Sequence, residues 1–212
     1  MPRVSTPFLI AALWLVPVVL AGPALAFVQL VATLEGVRAA SVQHDAAGPS
    51  QDHIKELFFA AARSGREDLL DGLIRSGMKP DEQDPHGYTA LILAAYNGQA
   101  KTVDFLIQKG ANPCATDLKG NSSLMGVAFK GETGIGQRLI AAGCDVNARN
   151  DAGQTALMMA AMFGRTDVVN MLVANGANAE LQDHAGNTAV SLAQQQANPQ
   201  MVTLLTQAAK GQ

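Results

Sequence analysis

The sequence is short of aromatic side chains, of cysteine and of net positive charge. Phe, Trp and Tyr make up 5% of its 212 residues. Lys and Arg number 15 against 18 Asp and Glu, a formal net charge of −3. Holding nucleic acid by bulk positive charge needs the opposite balance, so no nucleic-acid partner is expected. Two cysteines are too few for a disulfide-stapled mini-protein or a four-cysteine zinc site. Disorder is excluded from the other side, because 48% of the residues are hydrophobic.

Catalytic signatures are also missing. No HExxH, GxSxG or Ser-His-Asp order occurs, so no enzymatic activity and no cofactor are expected. Residues 131–138 resemble a phosphate-binding loop at first glance. Gln137 and Arg138 stand where that loop needs Lys and then Ser or Thr. His53 and His86 are 33 residues apart but have no obvious third ligand, and no metal site is expected.

What is present begins with an export signal. Arg3 is the only charge before Glu35, and an apolar stretch runs from Phe8 to Leu20. Gly22 and Pro23 break it, and Ala24-Leu25-Ala26 has the small-x-small form of a cleavage site. Residues 1–26 therefore read as a signal peptide. The competing reading is an uncleaved anchor over 8–34, since the uncharged stretch continues to Leu34 and is long enough to span a bilayer. Only the anchor would tie the chain to a membrane. Both put the remainder outside the cytoplasm, with Arg3 inside, and the short basic region suggests a periplasmic location. Residues 27–50 read as a linker or flexible arm ending in Ala46-Ala47-Gly48-Pro49-Ser50.

A 33-residue period organises the rest. Gly87, Gly120, Gly153 and Gly186 are each 33 apart, as are Gly65, Gly98, Gly131 and Gly164, and Gly77, Gly110, Gly143 and Gly176. Each interior unit places a turn such as Asp84-Pro85-His86-Gly87 before an apolar helix, then a glycine, then a second helix closed by glycine. Thr89, Thr155 and Thr188 stand where a hydroxyl caps the first helix. The pairs Ala94-Ala95 and Ala160-Ala161 let neighbouring helices approach closely.

These units resemble the ankyrin repeat: DPHGYTALILAAYNG then VDFLIQKGANP in one unit, NDAGQTALMMAAMFG then VVNMLVANGAN in another. The resemblance implies an all-α solenoid of stacked helix–turn–helix units joined by hairpin-like loops. Five units follow, 51–83, 84–116, 117–149, 150–182 and 183–212. Ala90, Ala156 and Ala189 replace the family's proline, and Ala197 replaces a glycine in the last unit. The first and last units read as caps that face water. In the third unit, Gly126 and Gly136 interrupt the two helices. Each costs roughly 1 kcal/mol relative to alanine, so that unit is expected to be the least stable of the interior three.

The resemblance also implies which side chains face outward. The thirteenth place of each unit, on the concave face, holds Arg63, Tyr96, Phe129, Met162 and Gln195. The next place includes Lys130 and Phe163, and Tyr88 sits just past a loop tip. Arg63, Tyr88, Tyr96, Phe129, Lys130, Met162 and Phe163 are therefore the expected partner-binding residues, since exposed apolar patches with aromatic, Met and Arg side chains mark interfaces. Cys114 and Cys144 are 30 apart, close to one another near the loop end of adjacent units. A disulfide needs Cα atoms within about 7 Å. Both a bond and two separate thiols remain open.

Two functions follow. The first is an exported scaffold, expected to be monomeric, that binds a partner protein through the concave face. In size and export signal the chain is similar to small periplasmic ankyrin proteins encoded beside catalases, which implies oxidative-stress defence with a catalase partner by analogy alone. The second is an envelope stress factor that holds many client proteins without selectivity.

Overall fold

The computed structural model describes residues 50–210. The signal peptide 1–26, the alternative anchor 8–34 and the arm up to residue 49 lie outside the described residues.

The described residues form ten helices in five pairs. They are α1 (Gln51–Ser64) with α2 (Glu67–Arg75), α3 (Ala90–Tyr96) with α4 (Ala100–Gln108), α5 (Ser123–Lys130) with α6 (Thr133–Ala141), α7 (Ala156–Met162) with α8 (Thr166–Ala174), and α9 (Ala189–Gln195) with α10 (Pro199–Lys210). The first helices α1, α3, α5, α7 and α9 pack in one row, and the second helices line a second row behind them. The core runs through both rows. Phe58, Leu91, Leu124 and Leu157 fill it from the first helices, and Leu106, Leu139, Leu172 and Leu205 from the second, all at 2% exposure or less. Ala61, Ala94, Val127, Ala160 and Ala193 are equally buried between first helices, where four of the five have no bulk to hold the row apart. Among the described residues no helix is long and apolar enough to cross a membrane.

Hydroxyl caps start the first helices. Thr89 Oγ1 accepts from Ile92 N at 3.2 Å, Thr155 Oγ1 from Met158 N at 3.3 Å and Thr188 Oγ1 from Ser191 N at 3.2 Å. Ser122 does the same for α5, accepting from Met125 N at 3.3 Å. The turn before each cap is held by one side chain. Asp84 Oδ1 accepts from His86 N at 2.8 Å and Tyr88 N at 3.0 Å. Asp117, Asn150 and Asp183 repeat that arrangement.

Adjacent turns then bond to one another. Leu118 N donates to His86 O at 3.2 Å, Asp151 N to Lys119 O at 3.0 Å and His184 N to Ala152 O at 2.9 Å. Gly87 has φ +83°, and a Cβ there would lie 2.6 Å from Leu118 N. The glycine is required twice, by its own backbone and by the turn stacked on it. At Ala197 the chain takes φ +52° without a glycine, the only positive φ at a non-glycine among the described residues. That left-handed residue costs roughly 1–2 kcal/mol.

Cys114 and Cys144 are joined in the structure by a disulfide, with Cα atoms 5.3 Å apart. The stack explains the reach. Asp81 in the first unit accepts from Asn112 N of the second at 2.8 Å. Asn147 in the third accepts from Asn178 N of the fourth at 2.8 Å. Cys114 occupies the same place in the second unit, so a covalent bond stands where the flanking junctions have a hydrogen bond. The ring it closes contains α5 and α6, the glycine-interrupted pair. Gly136 is also compensated in another way, because Met171 Cε from the next unit sits 2.5 Å from where a Cβ would be.

Closing a loop with a sequence separation of 30 stabilises by about 3–4 kcal/mol on chain-entropy grounds. Reduction with a dithiol is therefore expected to raise amide hydrogen exchange in 122–142 above that in 155–175. With the bond intact the gap narrows. Exchange in 122–142 that is indifferent to reduction would sink this account.

Acid should act on the last turn. The Asn187 side-chain amide, followed by the backbone N–H groups of Asn187 and Ala185, holds the Asp183 carboxyl below its ordinary range. A depressed carboxyl contributes stability above its unfolded pKa of about 3.9, and loses it as pH falls through the lower folded value. Asn150 does the same work in the fourth unit with an amide that cannot titrate. Asp183→Asn should therefore flatten the fall in unfolding temperature between about pH 5 and pH 3. Parallel pH curves for the two proteins would count against it.

Candidate functional site

The exposed side of the first helices carries a continuous aromatic row. Tyr96, last in α3, stacks on Phe129 of α5 with ring centroids 5.9 Å apart and planes 12° apart. Phe129 meets Phe163, the residue after α7, edge to face at 4.4 Å. Three units are thus linked across their outer surface by ring contacts, each worth about 0.5–1.5 kcal/mol beyond area burial. Tyr96 and Phe163 are still 40% and 41% exposed. Lys130 Nζ lies 5.0 Å from the Tyr96 ring centroid, a cation–π contact that leaves the ammonium beside the row.

Next to the row is a cleft of about 600 Å³. Ile92, Leu93, Met125, Gly126 and Met159 form its apolar part, while Tyr96 and Phe129 bound it on the helix side. Tyr88, His86, Asp84, Asp117 and Asn121 line it from the loops, and Arg63 reaches it from the first unit. Gly126 gives the cleft depth. Leu93 and Met159 hold the equivalent place in the flanking units, and a Cβ at Gly126 would meet only Tyr96 Cδ2 at 3.6 Å. The glycine that weakens α5 also opens the surface above it.

The charges around the cleft are sorted by burial. Asp117 is buried, with Oδ1 accepting from the N–H groups of Lys119 and Asn121 and Oδ2 from the Asn121 amide. The Asp84 side chain is 8% exposed and is committed to its turn. Arg63 Nη2 stands 4.0 Å from Asp84 Oδ2, with its side chain 47% exposed. Ser122 also lines the cleft, but the residue is buried and its hydroxyl caps α5. Among the described residues no three His, Cys, Asp or Glu side chains gather into a group able to hold a metal. The arrangement is suited to contact: aromatic faces, an apolar recess and exposed cations.

Of the residues expected at the site, Arg63, Tyr88, Tyr96 and Phe129 line the one cleft, and Lys130 and Phe163 flank it through ring contacts. Met162, half-buried at the end of α7, is not in its lining. Met159, one helical turn earlier, takes that part. The floor residues Ile92 and Leu93 precede Tyr96 by four and three residues. A 3.6-residue period applied to the outward positions was the signal that could have found them. Residues 131–138, set aside above as a phosphate loop, form the interhelical turn and most of α6.

The family model described as ankyrin repeats, three copies, matches the chain over residues 31–117, 57–148 and 124–212. No curated protein shows a significant match. With the helix pairs, the stacked turns and a match that reaches across most of its length, the chain belongs to the ankyrin-repeat family.

Proposed function

We propose that this chain, whose repeats are of a kind that generally mediates protein–protein interaction, is an exported scaffold that binds a partner protein across its concave face and carries out no chemistry of its own. The observation that carries the reading is the row Tyr96–Phe129–Phe163 beside an open apolar cleft. The row spans three units held together by stacked turns, so its side chains are displayed with little ordering left to be done on binding. The signal pattern in residues 1–26 supports export to the periplasm. A disulfide between neighbouring units suits an oxidising compartment. Support for oxidative-stress defence, with a catalase as partner, comes only from the likeness in size and signal noted above.

The test is capture from envelope extract with the full chain as bait, beside a variant carrying Tyr96→Ser, Phe129→Ser and Met162→Ser. The variant must keep the circular dichroism of the parent. One protein held by the parent and retained about tenfold less by the variant is the expected result, since truncating central aromatic anchors commonly costs 2 kcal/mol or more. Equal capture by both, or none by either, would remove the concave face as the site.

A further inference from the structure

The recess beside the aromatic row has a shape and a charge pattern that specify its occupant. Gly126 and Gly136 both interrupt the third unit, but they are treated differently. Met171 Cε covers Gly136, whereas only Tyr96 approaches the Cβ direction of Gly126, at 3.6 Å. The volume missing at Gly136 is filled from within the fold. The volume missing at Gly126 faces the cleft. At about 600 Å³ the cleft lies in the range of sites that enclose small-molecule-sized groups, roughly 300–1,000 Å³. It has room for one large apolar side chain and the backbone on either side of it.

The exposed charges at and beside the cleft are cations, Arg63 in its lining and Lys130 over Tyr96, although the chain is net acidic with a formal charge of −3. Both oxygens of Asp117 and Oδ1 of Asp84 are bonded within their own loops, while Asp84 Oδ2 faces Arg63. Arg63 and Lys130 are exposed. The Arg63 guanidinium has a carboxylate only at 4.0 Å, and Lys130 lies on a ring. Apolar depth with an exposed cation at its edge and a second beside it is complementary to an apolar side chain flanked by carboxylates.

We propose that this recess anchors an extended acidic segment of a partner protein. One large apolar side chain sits over Gly126, and carboxylates near it pair with Arg63 and Lys130. The inference rests on the concave face being the binding surface and adds the chemistry of what binds there.

The experiment selects from a phage-displayed library of random dodecapeptides on the immobilised full chain. It runs beside Gly126→Leu and beside the double variant Arg63→Glu with Lys130→Glu. Leucine already stands at the equivalent place of the second unit, Leu93, so Gly126→Leu fills the recess with a side chain the repeat accepts. Gly126→Ala, whose Cβ meets Tyr96 at ordinary contact distance, is the milder form. Each variant is checked by circular dichroism and thermal unfolding. Peptides selected by the parent should share Phe, Tyr, Trp or Leu within two positions of Asp or Glu. Their retention should fall about tenfold or more on Gly126→Leu, and less on Gly126→Ala. The charge-reversed variant should select Lys or Arg flanks instead.

Selection without acidic flanks, no selection at all, or equal retention on Gly126→Leu would overturn the proposal. An envelope partner lost by the Tyr96, Phe129 and Met162 variant but kept by Gly126→Leu would leave the concave face standing and remove the recess. A partner kept by both would remove the two together.

Discussion

The structure depends on how closely one turn can lie against the next. Leu118 N, Asp151 N and His184 N each reach back to a carbonyl of the preceding turn. They can do so only because the residue beneath has no Cβ. The approach fixes the spacing of the units at the loop edge. The buried alanines fix it between first helices, and the leucines of the second helices fix it at the back. A strict 33-residue period with no insertion follows, because an extra residue in a turn would pull one edge of the stack out of step with the other two. At Gly186 nothing lies within 4 Å of the Cβ direction, as expected where no described unit stacks on it.

Side chains reinforce the same junctions. Gln99 Nε2 donates to Arg63 O at 3.2 Å, and Arg165 Nε to Phe129 O at 2.9 Å. Each ties the end of a first helix to the start of the next unit's second helix. Ion pairs such as Arg138 with Asp104, at 3.0 Å, join successive second helices but are exposed and worth little each. The one covalent tie falls between the second and third units, in place of the carboxylate or amide bond used at the flanking junctions.

The unit plan was legible in the sequence because each part has a local cause. Glycine marks left-handed residues, a hydroxyl marks a helix start, and apolar spacing marks the buried face. The outward aromatic positions were legible for the same reason, once the register was set. The cleft floor was not. Leu93 and Met159 look like core residues in sequence, and only the missing side chain at Gly126 turns that row into a recess. Gly126 by itself reads as a defect in α5. The cysteines were undecided because a spacing of 30 looks like a mismatch against a period of 33. In the folded stack, the residue before the turn reaches forward to the start of the next unit's exit loop, which brings the Cα atoms to 5.3 Å.

Stability and site geometry therefore meet in the third unit. A glycine there costs about 1 kcal/mol of helix stability, and filling it would remove the depth of the cleft. Such a cost persists where the surroundings hold the element in place by other means. Three such means act on this unit: the disulfide that encloses both of its helices, Met171 reaching in from the next unit, and the ring contacts of Phe129 on either side. The last of these is double-edged. Phe129 stabilises the stack only by standing on the exposed face, where it is half-buried and lines the cleft. The same ring contacts that tie α5 to its neighbours also hold the proposed binding surface in shape, so the local weakness and the proposed function have one structural origin.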